Sequence, residues 1–175
     1  MIKSKVVVLS VIVAFLFFGC KKDLTQFHID YNTEAFIPSN TPISSPIDII
    51  TPEKTTNSSF EFEVNDTRKD LIREILLVDL EIKIISPEDH TFDFLKSVEI
   101  FISSENHEEQ KIAYKEDVPN GVQKLVCELL DVDLQEYIKE DSFKLRLKTV
   151  TDQLLSQDVK VDIFTNFFVD AKLAR

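Results

Sequence analysis

Along most of the chain, apolar and polar side chains alternate with a period of two, the spacing of half-buried strands. Phe27, Ile29 and Tyr31 alternate with polar partners, and Phe60, Phe62 and Val64 alternate with Glu61, Glu63 and Asn65. Leu76, Val78, Leu80, Ile82 and Ile84 form a longer inward set that Pro87 stops, and Val98, Ile100 and Ile102 form another with Phe101 on the opposite face. Pro119-Asn120-Gly121 reads as a turn in which Gly121 takes a positive φ, and it opens the set Leu125, Cys127 and Leu129. Phe143, Leu145 and Leu147 alternate with Lys144, Arg146 and Lys148, and the last strands are expected over residues 159–163 and 167–173. Helix is scarce. Asp66 is placed to cap a short turn through Leu71 and Ile72, and Asp133 with Glu136 has the spacing of a capping box opening a turn through Ile138. Seven or more strands with no long crossover helix predict an all-β fold, an antiparallel β-sandwich, immunoglobulin-like or similar, with one or two short helical turns.

The amino terminus obeys a different rule. Lys3 and Lys5 precede an uninterrupted apolar run over residues 6–18, and Gly19 and Cys20 close it. A basic start leading into a short apolar run is the pattern of a secretory signal peptide. A bilayer-spanning helix needs roughly 17 to 25 apolar residues, so this run is short for a permanent span.

Leu16-Phe17-Phe18-Gly19-Cys20 resembles the lipobox of bacterial lipoproteins, although Phe17 stands where leucine is commonest and Phe18 where a small residue is usual. The resemblance implies cleavage between Gly19 and Cys20 and acylation of Cys20, with palmitate among the chains. Two or three acyl chains give stable anchoring where a single one is marginal. Lys21 in place of an aspartate after the lipidated cysteine implies an outer-membrane destination, on either its periplasmic or its surface face. Lys21-Lys22-Asp23 is similar to the charged residues often found after the cysteine in lipoproteins of the Bacteroidota. The expected organisation is residues 1–19 as signal peptide, 20–23 as lipidated N-terminus and short tether, and 24–175 as a single β-sandwich domain. Pro38, Pro42, Pro46 and Pro52 fall in a Ser/Thr/Asn-rich stretch, read as edge strands and proline-limited crossings within that domain.

Composition narrows the chemistry. The 175 residues carry a formal net charge of −11 with two glycines and two cysteines. Loss of residues 1–19 removes two lysines and no acid, leaving 18 bases against 31 acids, or −13. That field opposes nucleic acid and anionic headgroups. Phosphate-cradling loops need several glycines, and thiolate zinc sites or redox pairs need at least two cysteines, so no cofactor is implied. With Cys20 acylated no intramolecular disulfide forms, and the fold rests on a core that eleven mature phenylalanines help to fill.

The remaining candidates are scattered. His28 is expected on the outward face of a strand, His90 in a loop, and His107 in the acidic hairpin loop of Ser103–Glu109, where flanking carboxylates suit zinc or hydroxyl activation but neighbours in one loop rarely converge. Asp131, Asp133 and Glu136 are oxygen donors of the kind calcium needs, without the glycine of a calcium loop; capping is the simpler role. Ser142 lacks the glycines of a nucleophile elbow. Cys127 is expected to point inward as an inert thiol. Phe164 and Phe168 share one face and Phe167 the other, a pattern of strand residues buried between sheets that also offers a ring to a partner or glycan. The expected function is a non-enzymatic, membrane-anchored envelope module that binds an envelope protein or glycan or plays a structural part. Two alternatives stay open: an exported hydrolase with a dispersed Ser/His/acid site in a deep pocket, and a carrier whose sheets splay around an apolar ligand.

Overall fold

A computed structural model describes residues 24–174. Ten strands succeed one another as β1 (Leu24–Ile37), β2 (Pro46–Ile50), β3 (Lys54–Thr55), β4 (Ile72–Ser86), β5 (Leu95–Ser103), β6 (Gln110–Lys115), β7 (Lys124–Val126), β8 (Glu128–Leu129), β9 (Ser142–Thr151) and β10 (Val159–Lys172). Two short α-helices, α1 (Ser58–Val64) and α2 (Gln135–Ile138), and two single 3-10 turns, Lys69–Leu71 and Phe92–Phe94, interrupt them. One sheet has the order β1-β10-β4-β7 and the other β2-β9-β5-β6-β8, with β3 extending the second along β9. Strands pair antiparallel throughout. The fold is an all-β antiparallel sandwich.

The alternation of side chains explains why the sheets meet. Along β10 the inward residues Val159, Val161, Ile163, Thr165, Phe167, Val169 and Ala171 are all buried, and along β9 so are Phe143, Leu145 and Leu147. Aromatic rings cross the interior: Tyr31 packs edge-on against Phe143 at 5.2 Å and Phe167 at 5.8 Å. Burial of one such ring contributes on the order of 1.5–3 kcal/mol, so this cluster is one share of the much larger apolar burial that offsets chain entropy. The Tyr31 hydroxyl donates to the Thr56 carbonyl at 2.9 Å, and burial raises its pKa. The space between the sheets is occupied by these side chains.

Three local expectations are corrected. The segment of Phe60, Phe62 and Val64 is the helix α1, and of those three only Phe62 is buried, its ring 6.3 Å from Phe27. The segment bridges the sheets at one end, and its serines and glutamates favour helix over strand. In β4 the inward residues are Ile75 and Leu77, then Leu80, Ile82 and Ile84. Asn166 pairs with Asp79 and the next residue, Phe167, with Leu77, so Val78 is an extra residue in a β-bulge. The bulge shifts the phase and turns Leu76 and Val78 outward. The two expected C-terminal strands are one continuous β10, because Phe164-Thr165-Asn166 contains no glycine or proline and pairs on both sides.

Gly121 has φ of 74° in the expected turn. Beyond it the chain leaves the first sheet at Val126 and joins the second at Glu128, with Cys127 buried at the crossing. No helix among the described residues is long and apolar enough to cross a membrane.

Candidate functional site

The residues on which the sequence places the strongest functional signal, Gly19 and Cys20, lie outside the described residues. What the fold positions is the chain beyond them. β1 begins at Leu24 and pairs with β10 over its whole length, from Leu24 opposite Lys172 to Ile37 opposite Val159. Leu24 is thus only four positions beyond Cys20. A fully extended chain rises about 3.3–3.6 Å per residue, so that interval spans at most roughly 14 Å.

The three histidines occupy three separate places. His28 is exposed on β1, its Nδ1 lies 2.7 Å from Asn166 Oδ1, and its ring packs edge-on against Phe168 at 5.6 Å. Asn166 in turn donates to Asp30. This row bridges β1 and β10 across the outer face of the first sheet. His90 stacks at 6.0 Å on Phe94 and shares a surface cleft of about 220 Å³ with Asp89, Asp93 and Ser156. Ligand sites typically enclose about 300–1,000 Å³, and this one is smaller. Asp93 is already engaged, accepting from the Gly121 amide at 2.5 Å.

His107 gathers the densest cluster, and its partners come from a distant element. The β5–β6 hairpin brings its Nε2 to 3.4 Å from Glu140 Oε1 and 3.8 Å from Glu136 Oε2, at and just beyond α2. Asn106 donates to the same Glu140 oxygen at 3.2 Å, and the Tyr137 hydroxyl donates to the Glu108 carbonyl at 2.8 Å. Sequence neighbours do not converge here; the topology supplies the second half of the group. Among the described residues no three His, Cys, Asp or Glu side chains form a metal-holding set. The cluster latches the hairpin tip to α2.

The expected capping box is corrected: the N-cap of α2 is Leu134, without a side-chain cap bond, and Asp133 stands one residue ahead of it, its Oδ1 accepting from the Gln135 amide at 3.1 Å and the Ile75 amide at 3.0 Å while Glu136 faces His107 and Lys139. Those bonds tie α2 to β4. Ser142 donates to Glu53 Oε1 at 2.8 Å. Beside it, a cleft of about 430 Å³ is lined by Glu53, Ser103, Ser104, Glu105, Phe143 and Lys144, a set without a histidine. Cys127 is buried, and burial pushes its thiol up to about 12, so almost no thiolate exists at neutral pH. Phe167 is buried in the core, whereas Phe164 and Phe168 stand half-buried on the outer face of the first sheet.

A constellation that periodicity alone does not show lies on the outer face of the second sheet. Arg146 on β9 stacks 4.1 Å from the Phe101 ring centroid on β5 and donates to both carboxylate oxygens of Glu109 at 2.5 and 2.6 Å. It also bonds Asp48 on β2. The hydrogen bonds from Arg146 hold the Glu109 carboxyl below its ordinary range. Next to it Glu99 accepts from Lys111 at 2.5 Å, with Lys148 at 3.3 Å, and its pKa is lowered for the same reason. The alternation of Lys144, Arg146 and Lys148 marks this face in the sequence. The cross-strand acids that neutralise it come from other strands and the hairpin.

No protein-family model matches the chain, and no curated protein matches it. Among solved structures it is similar to a capsid chain of Helicobacter pylori bacteriophage KHP30, at 8% identity with a TM-score of 0.39, covering 85% of this chain and 98% of that one. It is likewise similar to the decameric BFDV capsid protein, at 8% identity and a TM-score of 0.41, covering 85% and 99%. A tomato aspermy virus chain aligns at 9% identity and a TM-score of 0.32, covering 94% and 93%. Overlaps at these TM-scores carry no argument about what this chain binds.

Proposed function

We propose that the protein is an envelope lipoprotein, anchored by acyl chains on Cys20, whose β-sandwich is a non-catalytic binding or structural module, most economically at the outer membrane. The observation that carries the reading is the succession Lys3, Lys5, the apolar run 6–18, Gly19 and Cys20, with the first strand starting four residues later at Leu24. A tether this short keeps the domain close to the headgroups. The acidic balance of the mature chain favours a cationic or neutral envelope partner, protein or glycan, over nucleic acid. The described side chains that lend themselves to chemistry support the same reading: Cys127 is buried, Asp133 is committed to the Ile75 and Gln135 amides, and His107 latches two elements together.

Metabolic labelling with palmitate tests the anchor. The wild type is expected to incorporate label and to fractionate with membranes, and Cys20→Ala to incorporate none. Equal labelling of both proteins would overturn the proposal.

A further inference from the structure

Helix α1 has two apolar sides, and the described sandwich covers only one of them. A helix turns by about 100° per residue, so Phe60 and Val64, four positions apart, are neighbours on one side and Phe62 points nearly opposite. Phe62 is buried with its ring 6.3 Å from Phe27, which fixes α1 from beneath, while Phe60 and Val64 stay 63% and 57% exposed. Adjacent large apolar side chains held outward mark protein or membrane contacts. The bonds that follow α1 place this side near the start of β1. The Thr67 hydroxyl donates to the Lys172 carbonyl at 2.7 Å and the Ala174 amide to the Asp66 carbonyl at 2.7 Å, and Lys172 stands opposite Leu24. Leu24 is itself an exposed apolar side chain.

We infer that α1 docks on the bilayer that holds Cys20, with Phe60 and Val64 entering the boundary between headgroups and acyl chains. The inference rests on the lipoprotein reading, and the length of chain between anchor and domain selects the occupant. Four positions separate Cys20 from Leu24, at most roughly 14 Å of extended chain, so the Leu24 end stays beside the headgroups. Another protein has to enter that narrow gap to cover α1, whereas the bilayer is already there. Interfacial helices bury an apolar side about 5–10 Å deep, within reach of a domain held this close.

Charge sets the kind of surface that is accepted. Glu61 and Glu63 flank the apolar side on an acidic chain, so anionic headgroups repel the domain and zwitterionic ones receive it. Two side chains on a seven-residue helix are too little to hold a protein to lipid without the anchor. Their effect is on orientation. Docking turns α1 and Leu24 toward the lipid and leaves β7, at the other edge of the first sheet from β1, facing away.

The chain has no tryptophan, so Phe60→Trp puts a single one on the docking side and Val126→Trp a single one on exposed β7. Each acylated full chain is reconstituted in phosphatidylcholine vesicles whose acyl chains carry bromine, a contact quencher of tryptophan. Flotation of the vesicles reads the anchor separately from the docking, with Cys20→Ala as the unanchored control. Phe60→Trp emission is expected to fall by about twofold or more in brominated vesicles, and Val126→Trp emission to stay unchanged. Adding Val64→Asp to Phe60→Trp is expected to restore most of the emission while flotation and circular dichroism stay the same. Three results from protein that floats would overturn the docking and leave the anchor standing: no quenching of Phe60→Trp, equal quenching of both variants, or shielding of Phe60→Trp from aqueous iodide without bromine quenching, the mark of cover by protein. Acylated protein that fails to float would overturn the anchor, and the inference with it.

Discussion

Neighbouring phenylalanines on β10 have opposite jobs, and the difference is a matter of which way each side chain leaves the strand. Phe167 is fully buried against Tyr31 and Phe143, while Phe164 sits half-exposed on the outer face. Truncating a buried ring removes its transfer free energy and leaves a cavity, so Phe167→Ala should cost about 3–5 kcal/mol. Phe164→Ala should cost roughly 1 kcal/mol or less. Urea denaturation of the two variants checks the assignment, and equal costs would contradict it. Cys127 tests the interior by another route. Its thiol is pushed from 9.0 up to about 12, so folding disfavours the thiolate. The contribution of the buried thiol is therefore complete below pH 9.0 and is lost as pH rises toward about 12, because the unfolded chain releases the proton first. Cys127→Ala should lower stability by about 1 kcal/mol at neutral pH and flatten the alkaline decline. In the native wild type a thiol-reactive reagent should label Cys127 only under denaturing conditions; rapid native labelling would refute the burial.

Elements were legible in the sequence where one face is core and the partner strands are regular. Val98, Ile100 and Ile102 lie inward as their spacing predicts, and so do Phe143, Leu145 and Leu147. Elements misread fall where tertiary context overrides the period. The bulge at Val78 answers to the register of β10, which lies far along the chain and leaves no trace in the residues around it. The α1 segment carries alternating apolar residues, yet it is a helix, and of those residues it buries Phe62 alone. The His107 cluster was half legible: its own loop is conspicuously acidic, but Glu136 and Glu140 reach it only through the topology. The Arg146 network makes stability depend on pH. Glu109 and Glu99 titrate below 4.5 in the folded protein, so their contribution is present above pH 4.5 and is lost as pH falls. Glu109→Gln should therefore be less stable than wild type near pH 7 and progressively closer to it as pH falls below 4.5, where protonation of Glu109 removes the wild type's advantage. Denaturation midpoints from pH 7 downward check it; a constant difference would argue that the pair is only an exposed contact.

At the scale of the whole molecule, a densely filled sandwich is joined by a very short interval to the most informative residues in the chain. Rings and branched side chains from both sheets fill the interior, and the polar clusters tie loops and strands together at the surface. On the proposed lipoprotein reading, function is concentrated at the boundary between the tether and β1. The direct measurement is the mass of the N-terminal peptide of the mature protein isolated from membranes. The expected chain begins at Cys20 and carries diacylglycerol on its thiol. A mature chain beginning at any other residue, or an unmodified Cys20, would contradict the lipid anchor.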